Sequence, residues 1–410
     1  MTPNRIIFSA LLPFASGYFM SYLLRAVNAV VAPDLVRDAG LSPAELGLLT
    51  AAYLGAFALF QLPLGVLLDR YGPRKIQIGL LCLAALGCLG FAMAPGFAGL
   101  FAARALIGLG FSAGLMASYK SSATWVPIER RSLANTAIMS FGALGVVVAT
   151  QPTEFLVSLI GWRNVFVVFA GVILCAALFI FTVAPSADTG AAAAPLRRQI
   201  ADMVAILKLP LFWRVAPLLG LTSGVQIGIQ TLWAGPWFRD VMGLSRAAVA
   251  QHLLWMALAF MFGILSVGVI ADRLGRKGVG PMKVMLGFNL IYFVAQGMII
   301  FRVGPLLVPA WLVVAAFGQA AILAFPWFAA RAGKDLAGRS NATINFAMFV
   351  CAFASQYGVG LIIGLFPATA TGYDPAGYGW SIGLFLALQL LAFLWYVSGS
   401  VQDRKGVFHA

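Results

Sequence analysis

Residues 65–75 read GVLLDRYGPRK, and residues 268–277 read GVIADRLGRK. The same offset of 203 residues carries Pro33 onto Pro236 and Gly40-Leu41-Ser42 onto Gly243-Leu244-Ser245. A register shared from position 33 to position 72 marks an internal repeat. Each copy of the motif closes a long apolar stretch, so the repeated unit is a set of membrane helices.

Apolar stretches long enough to cross a ~30 Å hydrocarbon core recur about twelve times, at 6–31, 43–67, 76–95, 98–123, 133–158, 163–184, 213–235, 247–270, 281–301, 306–328, 340–366 and 378–399. Composition agrees. Of 410 residues, 61% are hydrophobic and 10% charged, and the mean hydropathy is +0.94, whereas a soluble domain carries about a quarter charged residues. The mid-chain segment PSADTGAAAAPLRRQ, beginning at Pro185, breaks the apolar rhythm. It predicts a cytoplasmic linker over 185–212 between an N-terminal six-helix bundle, 1–184, and a C-terminal one, 213–410. The expected fold is an all-α membrane protein with twelve transmembrane helices in two pseudo-symmetric six-helix bundles.

The net charge of +14 is read by position. Twenty of the 27 Lys and Arg residues fall in alternate connections and termini that share one side, while Arg37, Arg163, Arg239, Arg246 and Arg302 occupy the other. The positive-inside rule places both termini in the cytoplasm. The charge is therefore a topology signal, and no nucleic-acid partner is expected. MTPNR leads straight into an apolar run without a cleavage site, which predicts an uncleaved first span. Cys82, Cys88, Cys175 and Cys351 sit in apolar runs without CxxC or CxxH spacing. Neither a disulfide framework nor a metal site is predicted, and no cofactor is expected.

The paired motifs resemble the loop 2–3 signature of the major facilitator superfamily, GxxxDRxGRK, and its degenerate copy in loop 8–9. Pro73 is an extra residue before the basic pair. The resemblance implies a conformational latch of Gly65, Asp69, Arg70, Gly72 and Arg74 with Asp272 and Arg273, holding the halves together on the cytoplasmic side in the outward-open state. The alternative is a positive-inside anchor alone.

An arginine inside a span costs several kcal/mol and normally faces a cavity or a partner. Arg25 is such a residue, and with Tyr18, Tyr22 and Asn28 it gives span one a polar stripe at helical spacing. Tyr22-Leu-Leu-Arg25 with Pro33 beyond is similar to the first helix of the organophosphate:phosphate antiporter branch and related anion transporters, where the matching arginine binds the anionic substrate. That branch carries a second arginine on span seven, where the repeat partner here is Gly228. Span seven offers the neutral groups Thr222, Gln226, Gln230 and Trp233 instead. One cationic site suits a monocarboxylate or another weakly charged anion better than a phosphate ester; a structural pair or a snorkelling side chain is the alternative for Arg25.

Arg104 opens RALIGLG in span four, similar to the superfamily's RxxxGxG pattern associated with coupling; the alternative is a charge held by backbone carbonyls. Glu154, late in span five, is the one acidic residue placed to sit within the membrane, as a proton carrier or as a carboxylate already in water at the outer face. His252 and Met256 spell HxxxM, a spacing seen in superfamily copper importers, or else an exposed imidazole at a helix end. Asn345 and Gln356 share a face of span eleven with Phe349 and Ala352. Gln61, Asn289, Gln296 and Gln319 fit interhelical hydrogen bonds. Trp233 and Trp327 either shape the cavity or pack.

The expected activity is secondary transport of a small organic anion by alternating access. Proton-coupled uptake across the bacterial inner membrane by a monomer in the lipid bilayer is the leading form. The substrate set is Arg25, Tyr22, Asn28, Gln226, Gln230, Trp233 and Asn345, with Arg104 and Glu154 for coupling. A proton-driven drug or metabolite exporter and, more remotely, a copper importer are the alternatives. Span five lacks the GPxxGG of drug:proton antiporters, and no carboxylate pair or nucleophile cluster suggests an enzyme.

Overall fold

The computed structural model describes residues 8–185, 196–332, 337–369 and 372–404, which are helical throughout and contain no strand. Arg5, Lys334, Lys405, His409 and most of the low-complexity part of the linker lie outside the described residues.

Twelve crossings are assembled from helices that break in informative places. Helices α1 (Leu12–Ala26) and α2 (Asn28–Ala39) form the first, bent by 48° at Val27. Helix α3 (Pro43–Met93) runs for 51 residues, about 76 Å at the standard rise and too long for one passage. It reverses at Gly72, whose φ of 80° and ψ of 158° are open to glycine alone, and so supplies crossings two and three. Helices α4 (Phe97–Gly110) and α5 (Gly114–Trp125) make the fourth. Helix α6 (Ile128–Val148) continues into α7 (Gln151–Val183), which breaks at Gly161 to give the fifth and sixth.

The linker carries a helix, α8 (Leu196–Leu207), and the seventh crossing already begins at Pro210. That crossing comprises α9 (Pro210–Gly228), a π-helical turn (Ile229–Trp233) and α10 (Ala234–Met242). Helices α11 (Arg246–Gly275) and α12 (Pro281–Ile300) follow. Then come α13 (Leu307–Phe317) with α14 (Ala324–Arg331), α15 (Ala337–Ile363) and α16 (Pro375–Arg404).

The repeat holds at the level of backbone angles. Gly40 and Gly243 both end a helix in the left-handed region, with φ of 63° and 66°, and Ser42 and Ser245 both cap the next helix by accepting from the amide three residues on. The copies part at the motif itself. Gly275 stays helical, and the chain turns at Gly278, φ 81°, before Pro281 starts the next helix.

Large apolar side chains such as Leu59, Phe155, Leu178 and Leu391 are exposed around the bundle, as a bilayer-facing surface requires. The two halves meet where α3 lies along α15, with Phe57 and Phe349 rings 4.6 Å apart. A looser contact joins α1 to α11 through Tyr22 and Phe260, centroids 6.3 Å apart.

Candidate functional site

Arg25 stands in the last turn of α1, two residues before the bend at Val27. Its side chain is at the seam between the halves. The guanidinium carbon lies 4.9 Å from the Tyr22 ring centroid, 5.1 Å from those of Phe57 and Phe349, and 5.8 Å from that of Tyr53. Phe349 belongs to the opposite half. Arg25 is 8% exposed, its Nε has no hydrogen-bond partner, and among the described residues no carboxylate pairs with it. Ring faces recover part of the desolvation cost. The planar N–H fork is the part of a guanidinium that recognises carboxylates.

Tyr53 joins this cation to a second one. Arg104 is fully buried with its guanidinium carbon 5.1 Å from the same ring, and none of its three side-chain nitrogens has a partner. The Tyr53 hydroxyl donates to the Ser21 carbonyl at 3.1 Å. Backbone carbonyls therefore do not hold Arg104, and the sequence carried no sign that it and Arg25 share a ring.

Several expected lining residues hydrogen-bond within the bundle. Asn28 is buried and donates to Thr50 Oγ1 at 2.9 Å, which ties the bend to the second crossing. Trp233 is 1% exposed and donates from Nε1 to the Gln356 carbonyl at 2.8 Å, so it locks crossing seven onto crossing eleven. Gln356 turns toward Thr231 Oγ1 at 3.0 Å, and Thr222 bonds within its own helix. Trp233→Phe is expected to lower the unfolding free energy by about 1–2 kcal/mol; thermal unfolding of the variant checks it.

Gln226 and Gln230 do come together. Gln319 donates to Gln226 Oε1 at 2.5 Å, and Gln226 in turn donates to Gln230. Asn345 is half-buried one turn before Phe349 on α15, which puts it on the face turned to Arg25. Gly228 has no room for the second arginine, since a Cβ there would stand 2.5 Å from Ser355 Oγ.

Glu154 is neither alone nor in open water. At the arginine-poor end of the bundle, Arg246 at the start of α11 donates from Nη1 and Nη2 to both carboxylate oxygens of Asp34, at 3.0 and 2.6 Å, and from Nε to Glu154 Oε1 at 2.5 Å. Asp34 and Glu154 belong to the first half and Arg246 to the second. Glu154 Oε2 is buried without a partner beside a cavity of about 110 Å³ that Pro33, Pro236, Arg239 and Arg246 also line. Counting Arg246 as a topology charge concealed this role; two acids at that end were the available signal.

The latch residues sit at the opposite end, where Asp69, Arg74 and Asp272 each have a partner within their own half. Asp69 accepts from Lys120 Nζ at 2.5 Å, Arg74 donates to the Phe181 carbonyl, and Asp272 pairs with Arg276 at 2.6 Å. Arg70 lies over the Tyr71 ring at 5.3 Å, Gly65 is partly buried within α3, and Arg273 is exposed. His252 binds the carbonyl of Ala248 through Nδ1 at 2.7 Å and contacts the rings of Phe238 and Trp255, while Met256 is buried. Among the described residues no group of three His, Cys, Asp or Glu side chains could hold a metal.

Twelve crossings in two repeated halves, closed around a buried cation at the seam, define a membrane carrier rather than a channel or an enzyme. The chain belongs to the Major Facilitator Superfamily, whose profile matches residues 14–353. It is 24% identical to the probable sulfoacetate transporter SauU of Cupriavidus necator over 290 residues, 66% of each chain. It is 24% identical to the D-galactonate transporter of Escherichia coli over 96% of each, and 27% identical to an E. coli hexuronate transporter over 35% of the latter's length. A bacterial homolog of the human lysosomal transporter Spinster, solved inward-facing and unoccupied, superposes with a TM-score of 0.77 at 17% identity, covering 97% of both chains. The D-xylose-proton symporter superposes at 0.72 and 17% identity, covering 95% of this chain and 97% of that one.

Proposed function

We propose that the chain is a secondary transporter that takes up a small organic anion by alternating access, with the anion seated on Arg25. The observation that carries this reading is a guanidinium at the seam of the halves with no carboxylate to neutralise it among the described residues. An anion that binds there touches both halves through Arg25 and Phe349, which is what alternating access needs of a substrate. Relatives that carry sulfoacetate, galactonate and hexuronate support the anion class. The companion residues in this reading are Tyr22, Asn345 and the Gln226–Gln230 pair, with the halves taken as 1–184 and 213–410. The basic loops face the cytoplasm of a bacterial inner membrane, so the Asp34–Arg246–Glu154 cluster closes the outer end. Uptake by proteoliposomes carrying Arg25→Gln tests it: uptake equal to wild type would remove the anion assignment.

Proton coupling follows at the outer cluster. Among the described residues no carboxylate pairs with Arg25 or Arg104, whereas Glu154 holds a free oxygen at the point where the halves join. A proton on Glu154 weakens its hold on Arg246 and lets the outer end part. Glu154→Gln is expected to abolish pH-driven accumulation while sparing counterflow exchange; full pH-driven accumulation by the variant would exclude Glu154 as the carrier.

A further inference from the structure

The surroundings of Arg25 say what body the anion has, given the anion reading above. Four rings, those of Tyr22, Tyr53, Phe57 and Phe349, stand 4.9–5.8 Å from the guanidinium carbon. Most side-chain donors nearby already bond the protein, which leaves Asn345 and the buried acceptors Asn28 Oδ1 and Gln356 Oε1. Tyr53 and Ser21 bond each other, Asn28 bonds Thr50, Gln61 bonds the Ser112 carbonyl, and Gln356 bonds Thr231.

A sugar acid brings several hydroxyls, and each one buried without a partner weakens binding about fivefold or more. A flat apolar body meets the opposite situation. It lies against ring faces and edges that lose nothing on contact, while its carboxylate pairs with the guanidinium of Arg25.

We propose that the substrate is a monoanion with a flat, apolar body, of the aromatic-carboxylate class, and that Phe349 selects for it. Phe349 is the specificity-determining residue because it is the ring supplied by the opposite half. An aromatic body held between Phe57 and Phe349, whose rings are 4.6 Å apart, parts them as it enters and so reports occupancy across the seam.

Benzoate and D-galactonate, monoanions of equal charge, separate the possibilities when titrated against the purified full-length protein. Benzoate is expected to bind at least about tenfold more tightly than galactonate and to lose that binding in Arg25→Gln, with Arg25→Lys retaining a weakened site. In Phe349→Leu, which keeps apolar volume but removes the ring, benzoate should weaken about threefold to tenfold and galactonate should not change. Arg25-dependent binding in which galactonate equals or exceeds benzoate overturns this inference and leaves the anion reading standing. Binding of both that is indifferent to Arg25→Gln and Arg25→Lys, or no binding of either, overturns the two together.

Discussion

Replacing Arg25 by glutamine is expected to lower the initial rate of organic-anion uptake about a hundredfold or more. The variant keeps a polar side chain of similar length, so the four surrounding rings retain a neighbour. It loses the charge and the paired N–H fork. A charge-assisted pair in a water-poor site contributes about 3 kcal/mol, and each 1.4 kcal/mol is a factor of ten. Lysine in the same place restores the charge without the fork and is expected to recover part of the rate. The protein itself should not suffer, because Arg25 pairs with no carboxylate among the described residues and its removal leaves no orphaned charge. Radiolabelled uptake beside a thermal-unfolding curve checks both halves of the expectation. A large loss of stability with normal uptake would mean that Arg25 is structural.

The second large effect is expected at Arg246. Its two-pronged contact with Asp34 and its bond to Glu154 join the halves at one end. Arg246→Ala takes from Asp34 and Glu154 the cation they share. Loss of one partner from a fully buried pair costs about 3–5 kcal/mol. The Arg246 side chain is 40% exposed, so solvent screening reduces the figure to about 1–3 kcal/mol. That still shifts the closed-to-open balance roughly tenfold to a hundredfold. A cysteine introduced at the buried Ala250, which lines the same cavity, should change from protected to reactive toward a membrane-impermeant thiol reagent. The exchanged variant Asp34→Arg with Arg246→Asp should restore protection in part. Unchanged protection in Arg246→Ala would show that packing alone closes this end.

How much of this was visible in the sequence depends on the range over which each signal acts. Crossing number and repeat follow from hydropathy and from residues such as Gly40 and Gly243, whose backbone demands are local, and the structure agrees with both. The direction in which a side chain faces is not local. Thr222, Gln226 and Trp233 share one crossing and look alike as polar groups in an apolar run, yet one bonds its own backbone, one a neighbouring glutamine and one the eleventh crossing. Glu154 and Arg246 are 92 positions apart, and only folding reveals that they meet. Arg104 and Arg25 are brought together by Tyr53, a residue with no distinctive sequence context.

The breaks in the first and seventh crossings fall at matching places, since Val27 plus the repeat offset is Gln230, inside the π turn. They are opposite in winding. At Val27 the chain tightens, with the Val30 amide reaching back only three residues to the Val27 carbonyl, whereas the Ala234 amide reaches back five to Ile229. One residue corresponds to about 100° of helical rotation, so the segments beyond the two breaks leave with different phase. Asp34 thus points to the seam, while its counterpart Trp237 turns inward against Trp311. Duplication fixed the depth of the weak point in each half; the sense of winding decided which half carries charge to the boundary and which carries bulk to the interior.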